Sequence, residues 1–399
     1  MKPIATVAIF CATLTFSLLL ASPVAPGWAN RSTEPLRRVE ASEITDFLPT
    51  LLGLDEQIWD SEQGRGDQAA LVTAIDHSLA YLRTAEAAEA YQAYAVPGFT
   101  RSRVRRSLER FRQLVLSCHS AAELQAAVLQ TFDLYQSVGS DGEGTVSFTG
   151  YFEPVYAASR TRTAEYRYPL YRVPPDLERW SSPHPSRRQL EGEDGLRGSQ
   201  GQLRGLELVW LRDRLEAYLV QVQGSARLQL TDGSMMSIGY AGRTDYPYVS
   251  IGRELVNDGK FREDELTLPI VIDHFRSNPA DLNLYLPRND RFVFFRETRG
   301  TPATGSLSVP VTPERSIATD KSLMPPGALA LIQTQIPYPD TDGTLTPRLV
   351  NRYVLDQDTG GAIRGAGRVD IFMGTGELAG DRAGLINTPG ELYYLLLKE

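Results

Sequence analysis

Residues 358 to 376 read DTGGAIRGAGRVDIFMGTG, two carboxylates at the ends of a glycine-crowded turn, with Asp370 heading a short apolar strand. A carboxyl held in a partly desolvated cleft has its pKa raised and can donate a proton to a leaving oxygen. Such a role needs no metal and suits cleavage of a glycosidic bond. The competing explanation is structural, because an aspartate beside glycines commonly caps turn backbone. Other chemistries lack their marks. His77, His119, His184 and His274 are scattered without H-E-x-x-H spacing, and cysteine pairs suited to zinc are absent. Neither a G-x-S-x-G elbow nor a P-loop occurs. Carboxylate chemistry is what the residue types leave, with no metal and no cofactor expected.

The elements that must position these carboxyls come from a chain of 399 residues, enough for two or three modest domains. Its 33 glycines and 25 prolines favour short strands and turns over a long helical bundle. A formal net charge of -8 argues against a nucleic-acid partner, which would call for a basic stripe. Lys2, an apolar run from Ile4 to Ala21 and small residues at Gly27 and Ala29 read as a secretory signal spanning 1–29. An uncleaved N-terminal anchor is the alternative, since the run is long for a signal core. Cys11 lies inside the run, so no lipoprotein cleavage site is seen. With the signal removed Cys118 stands alone, a small apolar residue near a helix end and without a disulfide partner.

From Glu40 to Val138 the pattern is helical. Leu71, Ile75, Leu79 and Leu82 share one face, as do Val104, Leu108, Phe111 and Val115, whose intervening arginines read as a solvated face. SAAE at 120–123 predicts a capping box opening a third helix toward Tyr135. The period changes to two at GSDGEGTVSFTGYFEPVY, and 174–205 reads as a long loop or ordered excursion. LEAYLVQVQGSARLQLTDGSMMSIGYAG reads as hairpins, with Asp232-Gly233 at one turn. Ser250 and Gly259 bracket a short helix, EDELTLPIVIDHFRSNP suggests another, and short strands dominate from Arg291 onward.

On these motifs the chain resembles the membrane-bound lytic murein transglycosylase A family with its C-terminal three-aspartate (3D) domain. The matching segments run in family order over roughly 148 to 385. They are FTGYFEPVY, VQVQGSARLQLTDGS, YAGRTDYPYVSIGREL, RFVFFRE, RSIATDKSLMPPGALAL and the DTGG stretch. The resemblance implies a mixed α+β, β-rich fold: a double-psi β-barrel domain with an inserted second β-domain, a substrate groove between them and an N-terminal helical region. In this chain that gives helices over 30–140, the barrel over 141–158 plus 291–399, and the insert over 159–290.

The hallmark aspartates of the family match Asp320, Asp358 and Asp370, and the resemblance makes Asp370 the acid/base. Between Val369 and Ile371, its carboxyl can face a groove while its neighbours anchor in the barrel. Asp358 is expected to cap the backbone of 359–361 as an Asx turn, to hold the site or to tune Asp370 by like charge. Asp320 is expected to brace the barrel through backbone amides, and Gly360 and Gly361 to leave room for a sugar. Thr149, Tyr151, Gln223, Ser225, Tyr240, Tyr248 and Ser250 are the expected substrate-binding residues, with barrel packing as the alternative for the tyrosines.

The implied reaction cuts the β-1,4 bond between N-acetylmuramic acid and N-acetylglucosamine in peptidoglycan strands and closes a 1,6-anhydro ring. It places the chain outside the cytoplasm, in the periplasm or at the outer membrane or wall, with peripheral association and no assigned protein partner. Hydrolysis of a β-1,4 glycan and a non-catalytic wall-binding module are the alternatives. Three departures stand out: family members are commonly lipid-anchored through an N-terminal cysteine, the helical stretch from Glu40 to Val138 matches no motif of the family, and Ala226 occupies a position usually glycine.

Overall fold

The computed structural model describes residues 34–39, 52–59 and 66–399; the expected signal segment with Cys11 and the stretch from Glu40 to Leu51 lie outside the described residues. In chain order the strands are β1 (Leu36–Arg38), β2 (Phe132–Ser137), β3 (Val146–Glu153), β4 (Val155–Ser159), β5 (Tyr168–Tyr171) and β6 (Glu207–Leu211). They continue with β7 (Ser225–Leu230), β8 (Met235–Arg243), β9 (Val293–Glu297) and β10 (Ser316–Ala318). The last are β11 (Leu329–Pro339), β12 (Leu345–Asp358), β13 (Arg368–Thr375) and β14 (Asn387–Leu397).

Alternating apolar residues close six of these strands into a barrel. Its order is β14-β11-β12-β10-β13-β3, and β3 pairs back onto β14. Phe148, Ile317, Val354, Ile371 and Leu392 fill its core and are fully buried. Closure leaves no edge within the ring. Outside it β14 carries β2, which carries β1. The second sheet has the order β5-β6-β4-β7-β8-β9 and its own core around Leu170, Val209, Leu228 and Phe295. The chain crosses from barrel to second sheet at the single residue Pro154, whose carbonyl accepts the Arg227 N–H at 2.8 Å.

Several expectations change on contact with the coordinates. Leu71, Ile75, Leu79 and Leu82 are buried as their spacing predicts. They belong, however, to a helical run that breaks into α1 (Gln68–Tyr81) and α2 (Ala85–Ala93), because the Thr84 side chain caps the second helix at the Ala87 N–H. On α3 (Arg101–Ser117) most arginines face solvent, but Arg103 is buried and donates to Asp133 and to the Leu397 carbonyl. Ser120 does cap α4 (Ala121–Thr131), while Glu123 reaches back to the His119 N–H, so the reciprocal box is displaced by one residue. The helix stops at Thr131. From Phe132 alternate side chains turn inward and Tyr135 pairs with Tyr394 of β14, so the expected helical region 30–140 includes two strands. The free thiol of Cys118 is buried at the end of α3, as expected.

The 174–205 excursion is ordered and contains α5 (Arg187–Glu191). The largest difference is LEAYLVQVQ, which is the helix α6 (Arg214–Gln223) and not the arm of a hairpin. Asp213 caps its first turn at the Leu215 and Glu216 N–H groups, and Gly224 ends it at φ +82, a left-handed value that suits glycine. The helix lies between two apolar clusters: Ala217 and Val220 enter the sheet core, while Leu215, Tyr218 and Leu219 join a helical cluster. Burial on several sides blurs its period, and A-Y-L-V-Q-V-Q then mimics alternation.

Further helices are α7 (Ile251–Asn257), α8 (Leu268–Ser277), α9 (Asp281–Tyr285) and α10 (Glu377–Leu385), the last two of them unanticipated, as was β10. Strands β4 and β9 pair inside the second sheet, just outside the expected insert span of 159–290.

Arg315, 0% exposed, ties the N-terminal residues to the barrel. It donates to both oxygens of Asp67 at 2.8 and 2.7 Å, to Asp55 and to the Tyr353 carbonyl at 2.9 Å. Asp55 is equally buried, and Arg352 is its second cation at 3.3 Å. Arg315→Met removes one partner from a buried charge network, for which the expected cost is about 3–5 kcal/mol. Urea unfolding checks this: the midpoint should fall at unchanged slope, and a loss below about 1 kcal/mol would refute the hub.

Candidate active site

Strand register builds the site. Thr149 on β3 pairs with Asp370 on β13, and Asp370 pairs with Ala318 on β10. Ala318 in turn pairs with Asp358 on β12. These four residues form one row across four strands; the β10–β12 pairing is bulged between Ile317 and Ala318, and Asp370, Ala318 and Asp358 all reach the same cleft. The methyl of Ala318 separates the two carboxyl positions, which lie two strand spacings, about 10 Å, apart at the backbone. Both aspartates and Ala318 line a cleft of about 660 Å³ whose other wall comes from the second sheet.

Asp370 accepts a short hydrogen bond from the Thr149 hydroxyl, which itself accepts from Arg368 Nη2 at 3.0 Å. Burial raises the Asp370 pKa above the ordinary carboxyl range, while the Thr149 bond and the Arg368 charge work against it. The charge of Asp358 adds a smaller push in the same direction as burial. Asp358 is more tightly held. Its Oδ1 accepts the Ser306 and Thr359 N–H groups, both at 2.8 Å, and its Oδ2 accepts the Tyr151 hydroxyl at 2.8 Å. Burial nonetheless leaves its pKa raised. Tyr151 packs on Phe372, and burial followed by the Asp358 charge lifts its own pKa well above normal.

Asp320 stands off the cleft and joins two loops: Oδ1 accepts the Ser322 N–H and hydroxyl, and Oδ2 accepts the Gly365 N–H at 2.9 Å. Burial opposes its ionisation, but these donors and Arg364 hold its pKa below normal. Gly360 and Gly361 take no left-handed φ. A Cβ on Gly361 would lie 1.8 Å from Arg291 Nη1, and one on Gly360 would lie 3.0 Å from Ile363. At 361 the missing side chain accommodates an arginine of the opposite wall, where room for a sugar was expected.

The other expected residues divide. Tyr151, Gln223, Ser225, Tyr240 and Tyr248 line the cleft. Tyr240 is 48% exposed and offers a free aromatic face. Gln223 uses Oε1 to accept the Phe152 N–H at 3.0 Å, tying α6 to β3. Thr149 and Ser250 lie off the lining: the first serves Asp370, and the second caps α7 at the Arg253 N–H and bonds Tyr248. Sequence reasoning passed over Glu153, a buried residue of the lining that accepts Arg227 Nε at 2.8 Å and the Thr375 hydroxyl at 2.7 Å. It also passed over Lys321, which bonds the buried Asp356 and the Asp358 carbonyl. Both sit inside quoted motifs, in FTGYFEP and IATDKS. Ser306 comes from a loop with no motif to flag it. Among the described residues no group of three or more His, Cys, Asp or Glu could hold a metal.

A family model described as the MltA specific insert domain matches residues 147–296, and a 3D domain model matches 315–396. Membrane-bound lytic murein transglycosylase A of Escherichia coli K12 is 33% identical over 266 residues, covering 66% of this chain and 69% of that protein. The chain belongs to the membrane-bound lytic murein transglycosylase A family. Its Vibrio cholerae relative of the same name is 30% identical over 292 residues, 73% of this chain and 75% of the relative. Two solved structures of the family align along most of their length. The Agrobacterium tumefaciens membrane-bound lytic murein transglycosylase has 27% identity, a TM-score of 0.65, and coverage of 86% of this chain and 97% of its own. E. coli MltA with bound chitohexaose has 25% identity, a TM-score of 0.67, and coverage of 92% and 96%.

The Thr149 hydroxyl favours the ionised form of Asp370, so its loss should raise the Asp370 pKa further. Carboxyl 13C NMR of aspartate-labelled Thr149→Val, with Asp370→Asn assigning the signal, should show a midpoint moved to higher pH. An unmoved or lower midpoint would contradict the geometry.

Proposed function

We propose that this chain is a peptidoglycan lytic transglycosylase whose single acid/base is Asp370. The observation that carries the reading is the Asp370–Ala318–Asp358 row on the cleft floor, backed by Thr149 on the next strand, with the Asp370 pKa raised by burial and its carboxyl still on the cleft surface. Family membership supports the activity and its glycan substrate. The six-stranded ring with parallel β3–β13 and β10–β12 pairs supports a double-psi barrel, and the cleft serves as the groove between barrel and insert. The first residues act as an export signal or anchor, which puts the enzyme in the periplasm or at the outer membrane, in keeping with the membrane-bound relatives.

Protonated Asp370 gives its proton to the oxygen joining N-acetylmuramic acid to N-acetylglucosamine, and the C1–O bond breaks. The 2-acetamido oxygen of the substrate supports the electron-poor C1. Ionised Asp370 then takes the C6 hydroxyl proton while O6 bonds C1, so the 1,6-anhydro ring closes without water and the acid is regenerated. Asp358, fixed by three donors, keeps the loop shape and adds negative charge beside the reacting carboxyl. Substrate-assisted enzymes of this kind need no second carboxylate nucleophile.

Asp370→Asn should lower turnover of purified sacculi roughly 100- to 10,000-fold, about 3–5 kcal/mol of barrier. Mass spectrometry of wild-type products should find anhydromuramoyl ends; reducing ends would favour the hydrolase. The starting acid must be protonated, so kcat should fall as pH rises through the raised Asp370 pKa. That alkaline limb should lie above the range of an exposed aspartate, and a limb at or below pH ~4 would refute Asp370 as the acid.

A further inference from the structure

The same cleft holds positive charge that the proposed chemistry does not use. Arg291, at the head of β9, is only 8% exposed. Its Nε donates to the Tyr246 carbonyl at 2.9 Å, and its Nη1 lies against the backbone of Gly361. Arg243, at the end of β8, spends one donor on the Thr244 carbonyl at 3.1 Å. Neither forms an ion pair with a carboxylate among the described residues, whereas Arg187 and Arg227 have Glu191 and Glu153. Arg364, from the loop between the two aspartates, is 64% exposed and makes one long ion pair, 3.9 Å, with Asp320. All three arginines line the cleft with Asp370.

A buried guanidinium without a counter-ion is costly, and two more beside it add repulsion. Burial lowers the Arg291 pKa to about 10, with help from the charges of Arg243 and Arg364. Such a cluster is completed by an anion, and planar guanidinium groups match a carboxylate. An all-N-acetylglucosamine strand has no carboxylate to offer. N-acetylmuramic acid carries one on its 3-O-lactyl arm, free or amide-linked to a stem peptide that ends in carboxylates of its own.

We propose that Arg243, Arg291 and Arg364 form a carboxylate subsite that reads the lactyl arm or stem of muramic acid and so sets the register of the strand over Asp370. The inference rests on the transglycosylase reading for its substrate, but the subsite has a binding readout of its own. Arg243→Gln and Arg364→Gln are the first variants, with Arg291→Lys, which keeps the charge, guarding against misfolding at the buried position.

Three ligands separate the outcomes: intact peptidoglycan, glycan strands stripped of stems by an amidase, and uncharged chitohexaose. Arg243→Gln should raise KM roughly tenfold on a carboxylate-bearing strand, with the Kd for chitohexaose unchanged. An effect on stripped strands identifies the lactyl carboxylate, and one on intact strands alone identifies the stem. An equal loss for chitohexaose, or no loss for any strand, overturns the subsite. If the wild-type enzyme releases nothing from any strand, the functional reading fails. The subsite is then judged by calorimetry alone: N-acetylmuramic acid should bind, its methyl ester should bind at least tenfold more weakly, and equal binding or none refutes it.

Discussion

The parallel pairing of β3 with β13 is the contact on which the site depends. It joins residues 221 positions apart and sets the Thr149 hydroxyl beside the Asp370 carboxyl. A strand alternates its faces every residue, so a slip by one would turn Asp370 into the barrel and bring Val369 or Ile371 to the cleft. Ring closure prevents that slip, since β3 is held on its other side by β14 and β13 by β10. The fully buried Val369 and Ile371 reinforce it, because either facing water would lose its core contacts. Placement of the Asp370 carboxyl is therefore a property of the whole ring.

Much of this was legible from residue order. The short strands expected from Arg291 onward do form, since alternating β-branched and aromatic residues bounded by glycine and proline specify strands locally. The DTGG turn and its two aspartates were legible as chemistry because few other residue types competed. What escaped depends on tertiary burial. The helix α6 is packed on several sides and loses its period, and β2 follows α4 with no breaking residue between them. Arg103 reads as one of a solvated set until the C-terminal carbonyl it binds comes into view. Gly361 shows the same limit: a glycine beside an active carboxyl suggests space for ligand, yet here another side chain fills it.

The seam between the sheets is polar and specific. Gln223 bonds the β3 backbone, Glu153 holds Arg227 and Thr375, and Arg291 rests on the glycine loop. Each contact couples a residue of the insert to the strand or loop that carries a site residue. The insert accordingly helps set the pose of the floor as well as supplying a wall. The electrostatics are local too: a chain of net charge -8 gathers Arg243 and Arg291, neither of them ion-paired among the described residues, and Arg364 in one cleft, a contrast that total charge conceals.

Asp55 and Asp67 precede both regions matched by the family models, yet they neutralise a guanidinium buried where the N-terminal residues meet the barrel. Arg315 lies directly before β10, the strand that places Ala318 between the two carboxyls. A fragment that began with the first matched region, at residue 147, would retain Asp320, Asp358 and Asp370 while leaving that buried cation without either carboxylate. The segment from Glu34 is thus part of the same folding unit as the barrel, which it completes with charge.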